Sequence, residues 1–165
     1  MSFVIDRMRP SDWDDARAIY LQGIAAGQST FETEAPSWES WDANHLAFAR
    51  LVVRDDERVI GWAALNPVSA RRAYAGVAET SVYVAFDKHG VGVGRQLLEA
   101  LISESERNGI WTLQAVMFAE NQASVALHQA CGFREVGRRQ RISKLNGVWR
   151  DTILLERRST EIGVE

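Results

Sequence analysis

The chain is poor in the features that mark several classes of protein. It has one cysteine, Cys131, in 165 residues, so no internal disulfide is possible and a reducing compartment, the cytoplasm, is the expected setting. Cys131 falls at the end of an apolar helical stretch, which favours structural burial over a role as nucleophile. No apolar run approaches the length needed to span a bilayer. The opening Met1-Ser2-Phe3-Val4-Ile5-Asp6 lacks the basic segment and long apolar core of a signal peptide and reads as a strand. Three prolines and no serine- or glycine-rich tract leave no candidate linker, and there is no repeat or low-complexity run. A net charge of −3 argues against nucleic acid as the main partner. The three histidines, His45, His89 and His128, have no metal-ligand spacing, so no metal is expected.

What remains, 46% hydrophobic and 25% charged residues, is the composition of an ordinary globular domain of a size that buries most of its apolar surface. Phe3–Arg9 reads as an edge strand. A helix capped by Ser11 runs through Ile24, and after a loop over 27–36 Ser37 caps a second helix from Trp38 to Leu46. Ala47–Arg54 and Arg58–Leu65 flank a turn as a hairpin, and Gly76–Ala85 forms a long strand. Val93, Leu97, Leu98, Leu101 and Ile102 recur at helical spacing until Gly109. Trp111–Phe118 is a strand and Asn121–Cys131 a short helix. Phe133–Lys144 and Val148–Glu156 form a hairpin about Asn146-Gly147. Residues 1–158 read as one domain and 159–165 as a loose tail.

The most informative segment is His89-Gly90-Val91-Gly92-Val93-Gly94-Arg95, between a strand and a helix. Glycine lets backbone approach a ligand, and the N–H groups of a helix N-terminus attract anions, so a diphosphate is the natural occupant. Gly94 is followed by Arg95-Gln96 rather than Lys-[Ser/Thr], which excludes a P-loop. The alternating Gly90, Gly92 and Gly94 do not make Gly-x-Gly-x-x-Gly, although Glu120 lies where a ribose-binding acid of a dinucleotide fold would fall. A flexible surface turn is the plain alternative.

The third pattern, [Arg/Gln]-x-x-Gly-x-[Gly/Ala], is the coenzyme A pyrophosphate loop of the GNAT acetyltransferases, and this segment resembles it with His89 in place of the Arg or Gln. The resemblance extends along the chain. Ser29-Thr30-Phe31-Glu32-Thr33-Glu34-Ala35-Pro36, Ala70-Arg71-Arg72-Ala73-Tyr74, Glu79-Thr80-Ser81-Val82-Tyr83-Val84 and Glu120-Asn121-Gln122-Ala123-Ser124 are similar to the phosphinothricin and methionine sulfone acetyltransferase branch. The family implies an α/β fold: a mixed, mostly antiparallel sheet of about seven strands flanked by about four helices. It implies acetyl-CoA as co-substrate and the α-amine of a small amino acid or analogue as acceptor. It also implies a homodimer with the substrate loop near its interface. Trp13, Trp38, Trp41 and Trp149 suit such an interface or, equally, the core.

Residue by residue, the resemblance makes Glu79 the general base. Partial burial among Val77, Ala78 and Val82 is expected to raise its pKa from about 4.3 toward a useful range. A cross-strand salt bridge is the alternative. The strand bearing Glu79 splays from its neighbour, so that Val82, Tyr83 and Val84 offer main-chain groups to the pantetheine arm. His89, Gly90, Val91, Gly92, Val93, Gly94 and Arg95 hold the diphosphate. Asn121 caps its helix and contacts the arm. His128 falls where many relatives place a tyrosine acid, but a thiolate of pKa about 8.5 leaves readily, and a packed histidine is the reading preferred. Arg71 or Arg72 is expected to pair with a substrate carboxylate, with Phe31, Glu34 and Tyr74 lining the rest. Other readings are a non-catalytic acetyl-CoA-binding module, or acceptors such as a protein N-terminus, a polyamine or an aminoglycoside. The last two, being cationic, call for an acidic pocket without the arginine pair.

Overall fold

A computed structural model describes residues 3–165; residues 1–2 of the expected domain lie outside it. One seven-stranded sheet organises the molecule, in the order β1-β2-β3-β4-β5-β7-β6. The strands are β1 (Val4–Arg7), β2 (Leu51–Asp55), β3 (Arg58–Pro67), β4 (Val77–Val84), β5 (Thr112–Phe118), β6 (Arg134–Leu145) and β7 (Val148–Arg158). Every neighbouring pair is antiparallel except β4 and β5. A parallel pair needs a crossover, and α3 (Val93–Arg107) supplies it. The other helices are α1 (Trp13–Ala26), α2 (Trp38–Asn44) and α4 (Gln122–Ala130). The antiparallel majority also removes the dinucleotide-fold alternative.

Strand alternation sorts side chains to the two faces. Trp62 and its register partner Tyr83 face α1 and α2: their rings stack at 5.0 Å, and Tyr20 of α1 meets Tyr83 edge-on at 4.9 Å. Gly61 and its partner Val84 face α3, where Leu97 and Val93 close over Gly61. Leu97, Leu98 and Leu101 on that helix are fully buried, each stabilising the fold by about 2 kcal/mol. Trp13, Ala16 and Ile19 form the buried stripe of α1. Trp13 and Trp41 therefore belong to the core, Trp38 is half-buried against both, and of the four only Trp149 is exposed.

Local signals hold at several turns. Ser37 accepts the Ser40 N–H at 3.2 Å, and Asn121 accepts that of Ser124 at 3.2 Å. Asn146 and Gly147 both adopt positive φ (51° and 80°), as a type I′ hairpin turn requires. Ser11 is not the cap expected. It lies inside a 3-10 turn, Pro10–Asp12, and the buried Asp12 carboxylate accepts the Arg9 N–H at 2.8 Å. The same carboxylate pairs with both Nη atoms of Arg54, 42 residues away, at 2.8 and 2.9 Å. Nor is the tail's start loose. Ser159 is buried, donates its N–H to Trp111 O at 2.8 Å and its hydroxyl to Glu106 Oε2 at 3.1 Å.

The Asp12–Arg54 pair ties α1 to the β1–β2 edge. Burial pushes the Asp12 carboxyl up, but the Arg54 guanidinium and the Arg9 N–H outweigh it and hold it below the usual range. A depressed folded-state pKa contributes stability above the unfolded value, about 3.9, which is lost as pH falls through the folded one. Asp12→Asn leaves Arg54, itself mostly buried, with Asp6 as its one remaining carboxylate. The variant is expected to lose about 3 kcal/mol in urea unfolding at pH 7, and much less at pH 3.

Candidate active site

The cleft begins where β4 and β5 part. Their parallel pairing covers Val77–Glu79 against Thr112–Gln114 and stops there. β4 continues with β3 to Val84, while β5 continues with β7 to Phe118. The facing edges of 80–84 and 115–118 thus leave the ladder and open a cleft of about 910 Å³. Glu79 and Gln114, register partners at the last rung, share its base: Gln114 Nε2 donates to Glu79 Oε1 at 2.9 Å. Glu79 is half-buried, and no arginine pairs with it among the described residues.

One wall is aromatic. Tyr20, Trp41, Trp62 and Tyr83 line it together with His45, whose ring stacks on Trp41 at 4.1 Å. The indole nitrogens of Trp41 and Trp62 are buried without a hydrogen-bond partner. Burial pushes the Tyr83 and Tyr20 hydroxyls upward, so both stay neutral across the physiological range. His45 donates Nδ1–H to Trp41 O and His128 donates Nδ1–H to Ser124 O, each at 2.7 Å. Burial lowers both pKa values, so both rings are neutral near pH 7. His128 also packs edge-on against Phe133 at 5.1 Å, as the packed reading expected.

The loop between α1 and α2 forms part of the rim, from the aromatic wall to Phe118. Phe31 and Glu34 line the cleft, as do Glu32, Val82, Tyr83 and Asn121. Phe31 meets Phe118 of β5 edge-on at 4.8 Å. Arg71, Arg72 and Tyr74 do not line it. They lie in an exposed 3-10 turn before β4, where Arg71 stacks on Tyr74 at 5.6 Å. The ionisable groups that do line the cleft are Glu32, Glu34, Glu79, the two histidines and the two tyrosines; no lysine or arginine does.

Beyond the cleft, β4 leads through a 3-10 turn, Phe86–Lys88, into the glycine loop. Gly90 and Gly92 have φ of 77° and 91°, the region glycine enters without strain, with no atom within 4 Å of where a Cβ would sit. Gly92 caps α3 and has no side chain to satisfy the first-turn N–H groups, which stay available to an anion. Val84 faces α3 beside Gly94. His89 is exposed and folds back on β4: Nε2 donates to Val84 O at 2.9 Å, the carbonyl being able only to accept. Arg95 is exposed and pairs with Glu99 at 2.9 Å.

A fork at the end of a three-rung parallel ladder, with a glycine-capped helix at its far end, is the framework expected of an acetyl-CoA enzyme. The family model for the acetyltransferase (GNAT) family matches residues 7–133. The chain belongs to the GNAT acetyltransferases. Its sequence is 34% identical over 157 residues to a phosphinothricin N-acetyltransferase of Alcaligenes faecalis, covering 91% of this chain and 79% of that protein. Among solved structures, a ribosomal-protein-alanine N-acetyltransferase from Brucella melitensis superposes with a TM-score of 0.87 at 28% identity, covering 94% of this chain and 99% of that one. A GNAT phosphinothricin acetyltransferase from Sinorhizobium meliloti, in complex with acetyl-CoA, gives 0.87 at 26% identity, covering 96% and 89%. The seven-stranded mixed sheet with four helices is the GNAT fold, as the sequence implied.

Arg150 carries no signal in the sequence pattern. It stacks over Phe118 at 4.1 Å and donates to Gly27 O at 3.1 Å. Gln114 was equally unmarked, because its partner Glu79 is 35 residues away. Gly76 sets the base of the fork: its carbonyl accepts from both Trp111 N and Thr112 N, at 2.8 and 3.0 Å. A Cβ there would lie 2.1 Å from the Trp111 ring. Gly76→Ala is expected to destabilise the protein by about 2–3 kcal/mol in chemical unfolding. Adding Trp111→Ala should recover part of that loss if the clash is the cause, whereas strictly additive losses would refute it.

Proposed function

We propose that this GNAT enzyme transfers the acetyl group of acetyl-CoA to the α-amine of a small amino acid or amino-acid analogue, with Glu79 as general base. The single observation behind the assignment is the fork: Glu79 lies at the last rung, where two facing strand edges part and are free to hold an extended ligand. Residues 82–84 offer main-chain groups along one edge to the pantetheine arm. Gly90–Arg95 present the free N–H groups of α3 to its diphosphate. His89, through its bond to Val84 O, ties the turn to the end of β4. Asn121 faces the same space from the start of α4.

An amine arrives near neutral pH mostly as ammonium and must lose a proton before its lone pair can attack the thioester carbon. With Gln114 holding Oε1, the other oxygen of Glu79 remains to accept that proton, directly or through a water. Attack then forms the amide C–N bond and expels the thiolate, which needs little help from an acid. Neutral His128, with its proton on Nδ1 bonded to Ser124, is a packing residue in this scheme. The names of the similar phosphinothricin acetyltransferases favour an amino-acid acceptor.

The charge of the cleft favours a second reading. With Glu32, Glu34 and Glu79 and no cation along its walls, the cleft suits an amine that brings no carboxylate, such as a protein N-terminus, a polyamine or an aminoglycoside. On that reading Arg71, Arg72 and Tyr74, which do not line the cleft, have no part in holding the acceptor. On the first they would have to reach it from the exposed turn.

Thiol release from acetyl-CoA separates the two. Methionine sulfone and phosphinothricin as the preferred acceptors would support the amino-acid reading. Preference for spermidine, an aminoglycoside or an alanine-initiated peptide would replace it with the second. Under either, Glu79→Gln should lower kcat roughly 100-fold while acetyl-CoA affinity changes little. Wild-type turnover in the variant would remove Glu79 as base.

A further inference from the structure

The loop over 27–37 leaves α1, which packs on β3 and β4, reaches over the fork to Phe118 of β5 and Arg150 of β7, and returns to α2, whose Trp41 packs on Trp62 of β3. Its first residues are held from the far side. Arg150 of β7, 123 residues from Gly27, donates Nη1 to Gly27 O at 3.1 Å. Its Nη2 donates to Gln28 Oε1 at 3.2 Å and to Glu120 Oε2 at 3.1 Å. The guanidinium lies over the Phe118 ring, which in turn receives Phe31. Asn121 Nδ2 adds a bond to Gln28 O at 3.1 Å. The Arg150 side chain is mostly buried, and Glu120 neutralises it from the exposed side.

We infer that Arg150 is a positioning residue that straps the acceptor loop across the cleft and so presents Phe31, Glu32 and Glu34 to the incoming amine. The inference rests on the acetyltransferase reading of the cleft. A planar fork is needed because the two acceptors on the loop, a carbonyl at the end of α1 and a side-chain amide one residue on, are met by different nitrogens. The end of α1 also carries the negative pole of the helix, which favours a cation there. Stacking on Phe118 fixes the plane of the guanidinium. Phe118 thus fixes both the strap and the side chain it positions. A lysine could satisfy one acceptor but not all three, and it would not stack as a plane.

Because Arg150 does not line the cleft, its loss should act on the acceptor through the loop. Arg150→Met keeps the length and the apolar stem; Arg150→Lys keeps the charge. In both, hydrogen exchange of amides in 27–36 is expected to rise at least about tenfold, while peptides covering β2 and β3 exchange as in the parent. In steady state the KM for the amine should rise at least about tenfold, with the KM for acetyl-CoA within about twofold. Unchanged exchange in the loop overturns the inference. So does exchange that rises evenly through the sheet, or an acetyl-CoA KM that rises as much as that of the amine, since either would make Arg150 a general brace between the halves of the sheet. Full rescue by Arg150→Lys would refute the need for the planar fork. If the parent chain acetylates no amine at all, the acetyltransferase reading falls, and the exchange measurement still decides whether Arg150 holds the loop.

Discussion

The parting of β4 from β5 is the constraint on which the rest of the site depends. Each strand has a complete antiparallel partner on its other side, β3 for one and β7 for the other. Each follows the twist of that partner once the short parallel ladder ends. Three rungs hold the halves together, and Gly76 sits just before the first of them because the Trp111 ring occupies the space a side chain would need. The main-chain groups left unpaired along the fork are an ordinary liability of an exposed sheet edge. Here they face inward across a cleft, where an extended ligand can satisfy them. The carboxylate at the last rung is then fixed relative to that ligand by the backbone itself.

The aromatic wall carries a cost of its own. Two indole N–H groups buried without partners each forfeit about 1–3 kcal/mol relative to a satisfied donor. The stacked and edge-on contacts among Trp13, Trp38, Trp41, Trp62, Tyr20 and Tyr83 offset part of this, at about 1 kcal/mol a pair beyond burial. Edge-on placement of Trp41 against Trp62 also brings positive ring edges to a negative face, a weak substitute for a hydrogen bond. The result is an uncharged aromatic surface beside the loop that carries Phe31, Glu32 and Glu34.

What could be read from the chain alone was whatever depends on near neighbours. Asn146-Gly147, the Ser37 and Asn121 caps, the glycines before α3 and the periodic leucines within it all act over a few residues, and each is where the pattern put it. Errors fell where a distant partner decides. Ser11 has the right local spacing for a cap, yet it lies in a 3-10 turn, and Asp12, at the start of α1, turns its carboxylate to Arg54 and to the Arg9 N–H instead of capping the helix. The tail past Arg158 has no pattern of its own and is anchored at Ser159 by Trp111 and Glu106. Arg71 and Arg72 were placed near a substrate by their closeness in sequence to Glu79. The turn before β4 carries them outward, and the stack of Arg71 on Tyr74 is what closeness in sequence produced. Gln114 and Arg150 reach across the fork, and no local rule marks them.

The distribution of charge follows from the same long-range pairing. Most of the arginines that might have served the cleft are committed elsewhere: Arg54 to Asp12, Arg58 to Asp87, Arg138 to Asp151, Arg157 to Glu106. Arg150, which stacks on the cleft-lining Phe118, directs its donors to the loop and to Glu120. The acids of the cleft have no such partners apart from the amide on Glu79, so the space between the walls is electronegative and attracts an ammonium rather than repelling it. An ammonium so attracted is held in the protonated form, which cannot attack a thioester. A base within the cleft would then have to take a proton that Glu32 and Glu34 help to retain; on the proposed reading that base is Glu79, held at the last rung of the ladder while the other two sit on the loop.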